Sequence, residues 1–296
     1  MQKTLHRYAH ALRCAAPSIS VTLLLLTASC SEEAQADAGS GQKSLPPGIT
    51  ASTAVRDLIT AVTPPASDVG LSERSDWHRR RKETLERMRI AGQEVGEEAW
   101  QIYSEDTDAV VDVRCGLLDV AAHNVPETTR AHLIEQIQTF GDDLMVRRQS
   151  AELLAELFPE DAVEILEPIL RRRLRKATYP PEDKMLEALL AAKKTLGQDS
   201  SDLLAYVATD LTQFNNARHL AIRTLSGTKS EKGRGALRQL LVESGTNSYL
   251  RRLAAQSLVK TIPTEELCPL LEEVFDREAD QNFQLFLLSL IEAHCR

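Results

Sequence analysis

A sequence pattern recurs along this chain at a nearly fixed step. Val113-Arg114-Cys115-Gly116-Leu117-Leu118 aligns with Val146-Arg147-Arg148-Gln149-Ser150-Ala151, with Ala217-Arg218-His219-Leu220-Ala221-Ile222 and with Leu250-Arg251-Arg252-Leu253-Ala254-Ala255. The leading arginines are separated by 33, 71 and 33 residues. Met185-Leu186-Glu187-Ala188-Leu189-Leu190 divides the long interval into 39 and 32 at the first aligned position. A last copy, Phe283-Gln284-Leu285-Phe286-Leu287-Leu288, follows Leu250 by 33 residues and lacks the arginine. A period of this size marks units that cannot bury their apolar faces alone and must stack on their neighbours.

The units are helical. Only 4% of the residues are aromatic, Leu, Ala, Glu and Arg are abundant, and no run alternates with period two long enough to form a strand. Punctuation repeats with the period. Pro126, Pro159 and Pro263 stand where the first helix of a unit should start, with Ser200 and Ser230 in equivalent places. Proline suits the first helical turn and serine caps it. Asp142, Asn215, Asn247 and Asp280 precede the second helices as expected caps. The expectation is an all-α fold: an α-solenoid of about five to six helical hairpins over residues 105–296, preceded by an irregular helical cap over 51–104. In that cap Val55, Leu58, Ile59 and Val62 share one face before Pro64-Pro65. A charged helix follows over 72–91, then a further helix over 94–103. It reads either as an extra hairpin or as a separate recognition element.

A hairpin whose second helix carries this arginine and small-residue pattern resembles the HEAT repeat family, including the short HEAT-like repeats of phycobilisome lyase type. Pro168 and Pro269 lie inside first helices, as in many HEAT units. The resemblance covers residues 106–296 and implies curved surfaces for partners rather than one chemistry.

The start of the chain carries an address. Lys3, Arg7 and Arg13 precede the apolar run Val21 to Leu26, then Thr27-Ala28-Ser29 and Cys30. This apolar core is too short to span a bilayer, which takes about 20 residues. Leu26-Thr27-Ala28-Ser29-Cys30 resembles a bacterial lipoprotein lipobox, with Thr27 where that family usually has Leu. The resemblance implies a signal peptide over 1–29, lipidation at Cys30 and stable anchoring by more than one acyl chain. Ser31 beside Cys30 looks like the outer-membrane sorting pattern. The other reading is ordinary secretion after Ala36-Asp37-Ala38. Residues 30–50, with Leu45 as the one large apolar residue of 31–48, read as a flexible tether.

Chemical motifs are sparse. Neither His-Glu-x-x-His, Gly-x-Ser-x-Gly nor Gly-x-Gly-x-x-Gly occurs. The stretch from Gly227 to Arg234 has the wrong spacing for a phosphate loop and reads as an inter-helix connection. His78, His123, His132, His219 and His294 show no metal-ligand spacing. No catalytic residue, metal ligand or cofactor is assigned. The net charge of −8 becomes −11 once the three basic residues of the signal are removed, which argues against nucleic acid as a partner.

Three groups are singled out. Cys268 and Cys295 fall at neighbouring ends of the last hairpin. An oxidising compartment permits a disulfide there, and two reduced, packed cysteines are the alternative. Arg171, Arg172, Arg173, Arg175 and Lys176 form the densest basic run, read either as a partner-contact patch or as a solvated helix end. Arg114, Arg147, Arg218 and Arg251 form a ladder expected to link neighbouring repeats, or alternatively to line a partner-facing surface.

The resulting expectation is an envelope lipoprotein on the periplasmic side, at the outer rather than the inner membrane. It would act as a scaffold or adaptor for a protein partner. The alternative is an enzyme, a lyase or hydrolase, with its site in the solenoid concavity.

Overall fold

The computed structural model describes residues 48–139, 143–171, 182–228, 230–243 and 245–295. Residues 1–29, expected to be a signal peptide, residues 30–47 of the expected tether with Cys30 among them, and Asp142, Arg172, Arg173, Arg175 and Lys176 lie outside the described residues. Residues 42–296 belong to one compact unit.

Fourteen helices and no strand occur among the described residues. They are α1 (Ala51–Val62), α2 (Leu71–Met88), α3 (Gln93–Glu105), α4 (Val111–Asn124), α5 (Pro126–Gln138), α6 (Leu144–Leu157) and α7 (Pro159–Arg171). Then come α8 (Glu182–Thr195), α9 (Ser201–Thr209), α10 (Asn215–Leu225), α11 (Glu231–Val242), α12 (Ser248–Thr261), α13 (Thr264–Arg277) and α14 (Gln281–His294). From α3 onwards they pair in sequence order: α3 with α4, α5 with α6, α7 with α8, α9 with α10, α11 with α12, α13 with α14. Each second helix also packs on the second helix of the following hairpin. The chain is an α-solenoid of HEAT-like hairpins.

Local chemistry accounts for the helix ends. Pro126 and Pro159 open α5 and α7, where a missing N–H costs no hydrogen bond. Asp143, Asn247 and Asp280 cap α6, α12 and α14, accepting from the N–H groups of Met145, Tyr249 and Asn282 at 2.8, 2.8 and 2.9 Å. Asn215 departs from the expected role. Phe214 holds the cap position of α10 and Asn215 is the first helical residue. Pro168 and Pro269 do lie inside first helices.

The core is a continuous run of Leu, Val, Ile and Ala along the array. Small residues set the closest approaches. A Cβ on Gly96 would lie 2.6 Å from Asn124 Cβ, so α3 meets the end of α4 only because that position is glycine. Gly116 of α4 likewise receives Val62 of α1, with Cγ1 3.0 Å from where a Cβ would stand.

The paired array begins at α3, inside the 51–104 stretch that the periodicity assigns to a separate region. α1 packs on α2, α3 and α4, and α2 touches α1 and α4. These two helices cap the first hairpin. Ion pairs tie consecutive first helices. Arg130 Nε donates to Asp161 Oδ2 at 2.5 Å, Lys232 Nζ lies 2.7 Å from Asp202 Oδ1, and Arg238 reaches Glu266.

Candidate functional site

Three of the four ladder arginines share one geometry. The Nε–H groups of Arg147, Arg218 and Arg251 donate to the carbonyls of Ile137, Ala208 and Leu241 at 2.9, 3.0 and 3.0 Å, in each case ten residues back. Each accepting carbonyl belongs to the last turn of the hairpin's own first helix, where carbonyls have no intrahelical partner. These Nε bonds close hairpins from within, a partial correction to the expected link between repeats. Arg251 adds that link, with Nη1 2.6 Å from Glu278 Oε2 in the next hairpin.

Arg114 is a second correction. Its guanidinium sits 5.2 Å from the Tyr103 ring centroid, and its Nε is buried without a hydrogen-bond partner. Its Nη2 reaches the Tyr103 hydroxyl at 3.5 Å instead. Leu186 holds the ladder place in α8. Gln284 takes over the task in α14, donating from Nε2 to the Glu278 carbonyl at 2.7 Å. The periodicity flagged the missing arginine there but not the glutamine's role.

One residue beyond the ladder, the side chains turn to the neighbouring hairpin. Arg148 lies 3.9 Å from Asp183, the His219 ring stacks at 5.7 Å on Tyr249, and Arg252 donates to the Asn282 carbonyl at 3.1 Å. These positions open a stripe along each second helix at spacings of three and four residues, which one helical face presents together. On α4 the stripe reads Asp112, Cys115, Asp119, His123. On α6 it reads Met145, Arg148, Glu152, Glu156, and on α8 Lys184, Glu187, Ala191, Thr195. On α10 it reads Asn216, His219, Arg223, on α12 Tyr249, Arg252, Gln256, Lys260, and on α14 Asn282, Leu285, Ser289, Ala293.

Charge along this stripe is sorted by sign. α4 and α6 contribute Asp112, Asp119, Glu152 and Glu156, whereas α10 and α12 contain no carboxylate at all. At the acidic end α2 lies over α4. Arg81 Nη2 sits 3.3 Å from Asp112 Oδ1. Arg89, just past α2, grips Asp119 through Nε and Nη2, both at 2.9 Å. Such a two-pronged pair is the strong form of arginine recognition. Asp119 is 2% exposed, and Cys115 is buried as well. Burial pushes the Cys115 thiol up to about 12, so it stays protonated and behaves as a small core residue.

His123 Nδ1 lies 2.8 Å from the Asp119 carbonyl oxygen and Nε2 lies 3.4 Å from Glu156 Oε1, so it bridges α4 to α6. His132 meets the Tyr103 hydroxyl at 3.0 Å. Among the described residues no group of three His, Cys, Asp or Glu side chains could hold a metal ion. No described helix is long and apolar enough to cross a membrane.

Glu152 is exposed on the stripe, yet burial of its surroundings raises its carboxyl above the ordinary value. Lys184 and Arg148 act against that rise, and Glu187 and Asp119 add to it. A carboxylate held above its ordinary value is a liability when ionised, because the unfolded chain gives up the proton more readily. Glu152→Gln should therefore raise the melting temperature at pH 7. The gain should vanish once the pH drops below the ordinary glutamate value, where both states are protonated. Equal melting of the two proteins at pH 7 would contradict this.

Of the sequence-selected basic run, Arg171 is described. Its Nη2 lies 2.8 Å from Glu167 Oε1, and its guanidinium is 5.6 Å from the Tyr206 ring centroid. Cys268 and Cys295 are joined in a disulfide, their Cα atoms 5.7 Å apart. It ties the start of α13 to the end of α14.

No family model matches the chain, and no curated protein matches it. Among solved structures, it is similar to the complex of CpcE and CpcF of phycocyanin lyase from Nostoc sp. PCC7120. That likeness has 16% identity, a TM-score of 0.39, and spans 90% of this chain and 99% of that chain. The solenoid assignment rests on the hairpin stacking described above.

Proposed function

We propose that this protein is an adaptor of the bacterial cell envelope, anchored through an acylated Cys30 and binding a protein partner on the stripe of its second helices. The observation that carries the reading is the sorted charge of that stripe. Its exposed side chains, among them Arg223, Gln256 and Lys260, stand beyond those that close the hairpins, so their identity is free to serve recognition. Ladder and core positions answer for stability; stripe positions vary from helix to helix, as recognition by a repeat array requires. Aromatic and arginine side chains, the types enriched at protein interfaces, occur together on α12 as Tyr249 and Arg252.

The experiment is in-cell photocrosslinking from Gln256 on the stripe, with Glu164 on the exposed side of α7 as the comparison site. An envelope protein captured in near-stoichiometric amount from position 256 and not from 164 is the expected result. Capture from neither position would remove the adaptor reading. Cys30→Ala should move the protein from the membrane to the soluble envelope fraction without lowering its melting temperature. Membrane retention of that variant would remove the anchor.

A further inference from the structure

The two ends of the second-helix stripe differ in sign, and one of them already holds a helix. α2 carries Arg74, Arg79, Arg80, Arg81, Lys82 and Arg87 against four carboxylates, and it lies on the carboxylates of α4 through Arg81 and Arg89. This cis contact shows how the face is occupied: a charged helix laid across it, with its cations on stripe carboxylates of opposite sign. Three hairpins further on the stripe is inverted and no described element covers it. His219, Arg223, Arg252 and Lys260 converge on the neighbouring helices α10 and α12, which bring no acidic residue to offset them. Arg223 and Lys260 are exposed, and their side chains form no ion pair or hydrogen bond among the described residues. Tyr249, 56% exposed, stands on the same side.

Placement explains why the chain tolerates this concentration of charge. Arg223 and Lys260 both occupy the last turn of their helices, where the helix dipole favours a cation. Arg252 spreads its guanidinium over Phe286 at 5.4 Å, and His219 stacks on Tyr249. The result is a cationic surface with an exposed aromatic ring at one edge. A flat, anionic lipid surface would meet the acidic surface around the patch as well as the patch itself, in a chain of net charge −8. A short acidic segment meets the local patch alone, since charges beyond about 10 Å are screened at physiological salt.

We infer that the α10–α12 face receives an acidic helical segment of a protein partner, docked in the manner of α2 on α4 but with the charges exchanged. The inference rests on the adaptor reading and names the chemistry of its ligand. Carboxylates of the segment would face Arg223, Arg252 and Lys260, and an apolar or aromatic side chain would pack on Tyr249.

The test measures fluorescence anisotropy with a labelled amphipathic peptide of about four helical turns, bearing Glu on one face and Leu and Phe on the other. The same peptide with Lys for Glu, and vesicles containing phosphatidylglycerol, are the competitors. The expected result is binding of the Glu peptide that weakens with salt and exceeds binding of the Lys peptide. The double variant Arg223→Glu with Lys260→Glu should lose affinity about tenfold, in keeping with the modest worth of each exposed charge pair, while staying folded, with melting lowered only by the small helix-dipole cost of anions in the last turns of α10 and α12. Equal affinity for the two peptides, preference for the vesicles, or full binding by the double variant would each overturn the inference. In those cases a partner still crosslinked from position 256 leaves the adaptor reading standing. Loss of both signals removes both.

Discussion

Replacing Arg251 by Ala should lower folding stability by about 3–5 kcal/mol, the range for removing one member of a buried ion pair. The side chain is 7% exposed and its partner Glu278 is 9% exposed. Three contacts are lost together: the Leu241 carbonyl, the Glu278 carboxylate and the face of Phe283, whose centroid is 4.3 Å from the guanidinium. What remains is a buried carboxylate without its cation, and that is the larger part of the cost. Arg251→Lys should not restore stability, because one ammonium cannot reproduce both the Nε and Nη1 contacts. Urea denaturation checks the prediction. The midpoint should fall with an unchanged slope, and a loss under 1 kcal/mol would show that the pair is structurally idle.

Acid should act on the same pair. Burial alone would raise the Glu278 carboxyl, but the N–H groups of Asp280 and Ala279 and the Arg251 guanidinium together hold it below its ordinary value of 4.5. A lowered carboxyl contributes stability above the ordinary value, and that contribution fades as the pH falls through the lowered one. The parent should therefore lose stability on acidification from 4.5 downwards more steeply than Glu278→Gln. Arg218→Ala should cost less than Arg251→Ala. Arg218 keeps the Ala208 carbonyl, but its Nη2 is buried without a hydrogen-bond partner, and burial lowers the affinity of its guanidinium for the proton.

Removing the Cys268–Cys295 crosslink should cost about 3.5 kcal/mol by the loop-entropy argument, since the bond closes a loop across a separation of 27 residues. The effect should concentrate on α14. That helix packs on α13 and α12 and has no later hairpin among the described residues, and its exposed Leu285 marks the open side. Hydrogen exchange on the Cys268→Ala, Cys295→Ala variant should lose protection first over Gln281–His294. Uniform protection in both proteins would contradict a stapling role.

Much of this architecture is legible in the sequence because it is local. The step between Arg114 and Arg147 or Arg218 and Arg251, the prolines at 126 and 159, and Asn247 and Asp280 as caps act within one helix turn or one hairpin. Spacing alone encodes them. The neighbouring ends of Cys268 and Cys295 follow from the antiparallel hairpin itself. Gly96 and Gln284 were not legible, since their importance lies in what stands opposite them: Asn124 in one case, the Glu278 carbonyl in the other.

The tertiary structure decided everything that depends on how one hairpin sits on the next. Helical periodicity says which residues share a face but not which neighbour that face meets. α2 reads as a charged helix of no fixed place until Arg81 and Arg89 are seen on Asp112 and Asp119. Likewise the ladder reads only as a link between repeats until Nε of Arg147, Arg218 and Arg251 is traced to a carbonyl of the same hairpin. The stripe shows its division by sign only once successive second helices are set side by side. Contacts within a turn follow from bond geometry and hydrophobic spacing, whereas contacts between stacked units depend on packing register, which the repeating pattern leaves open.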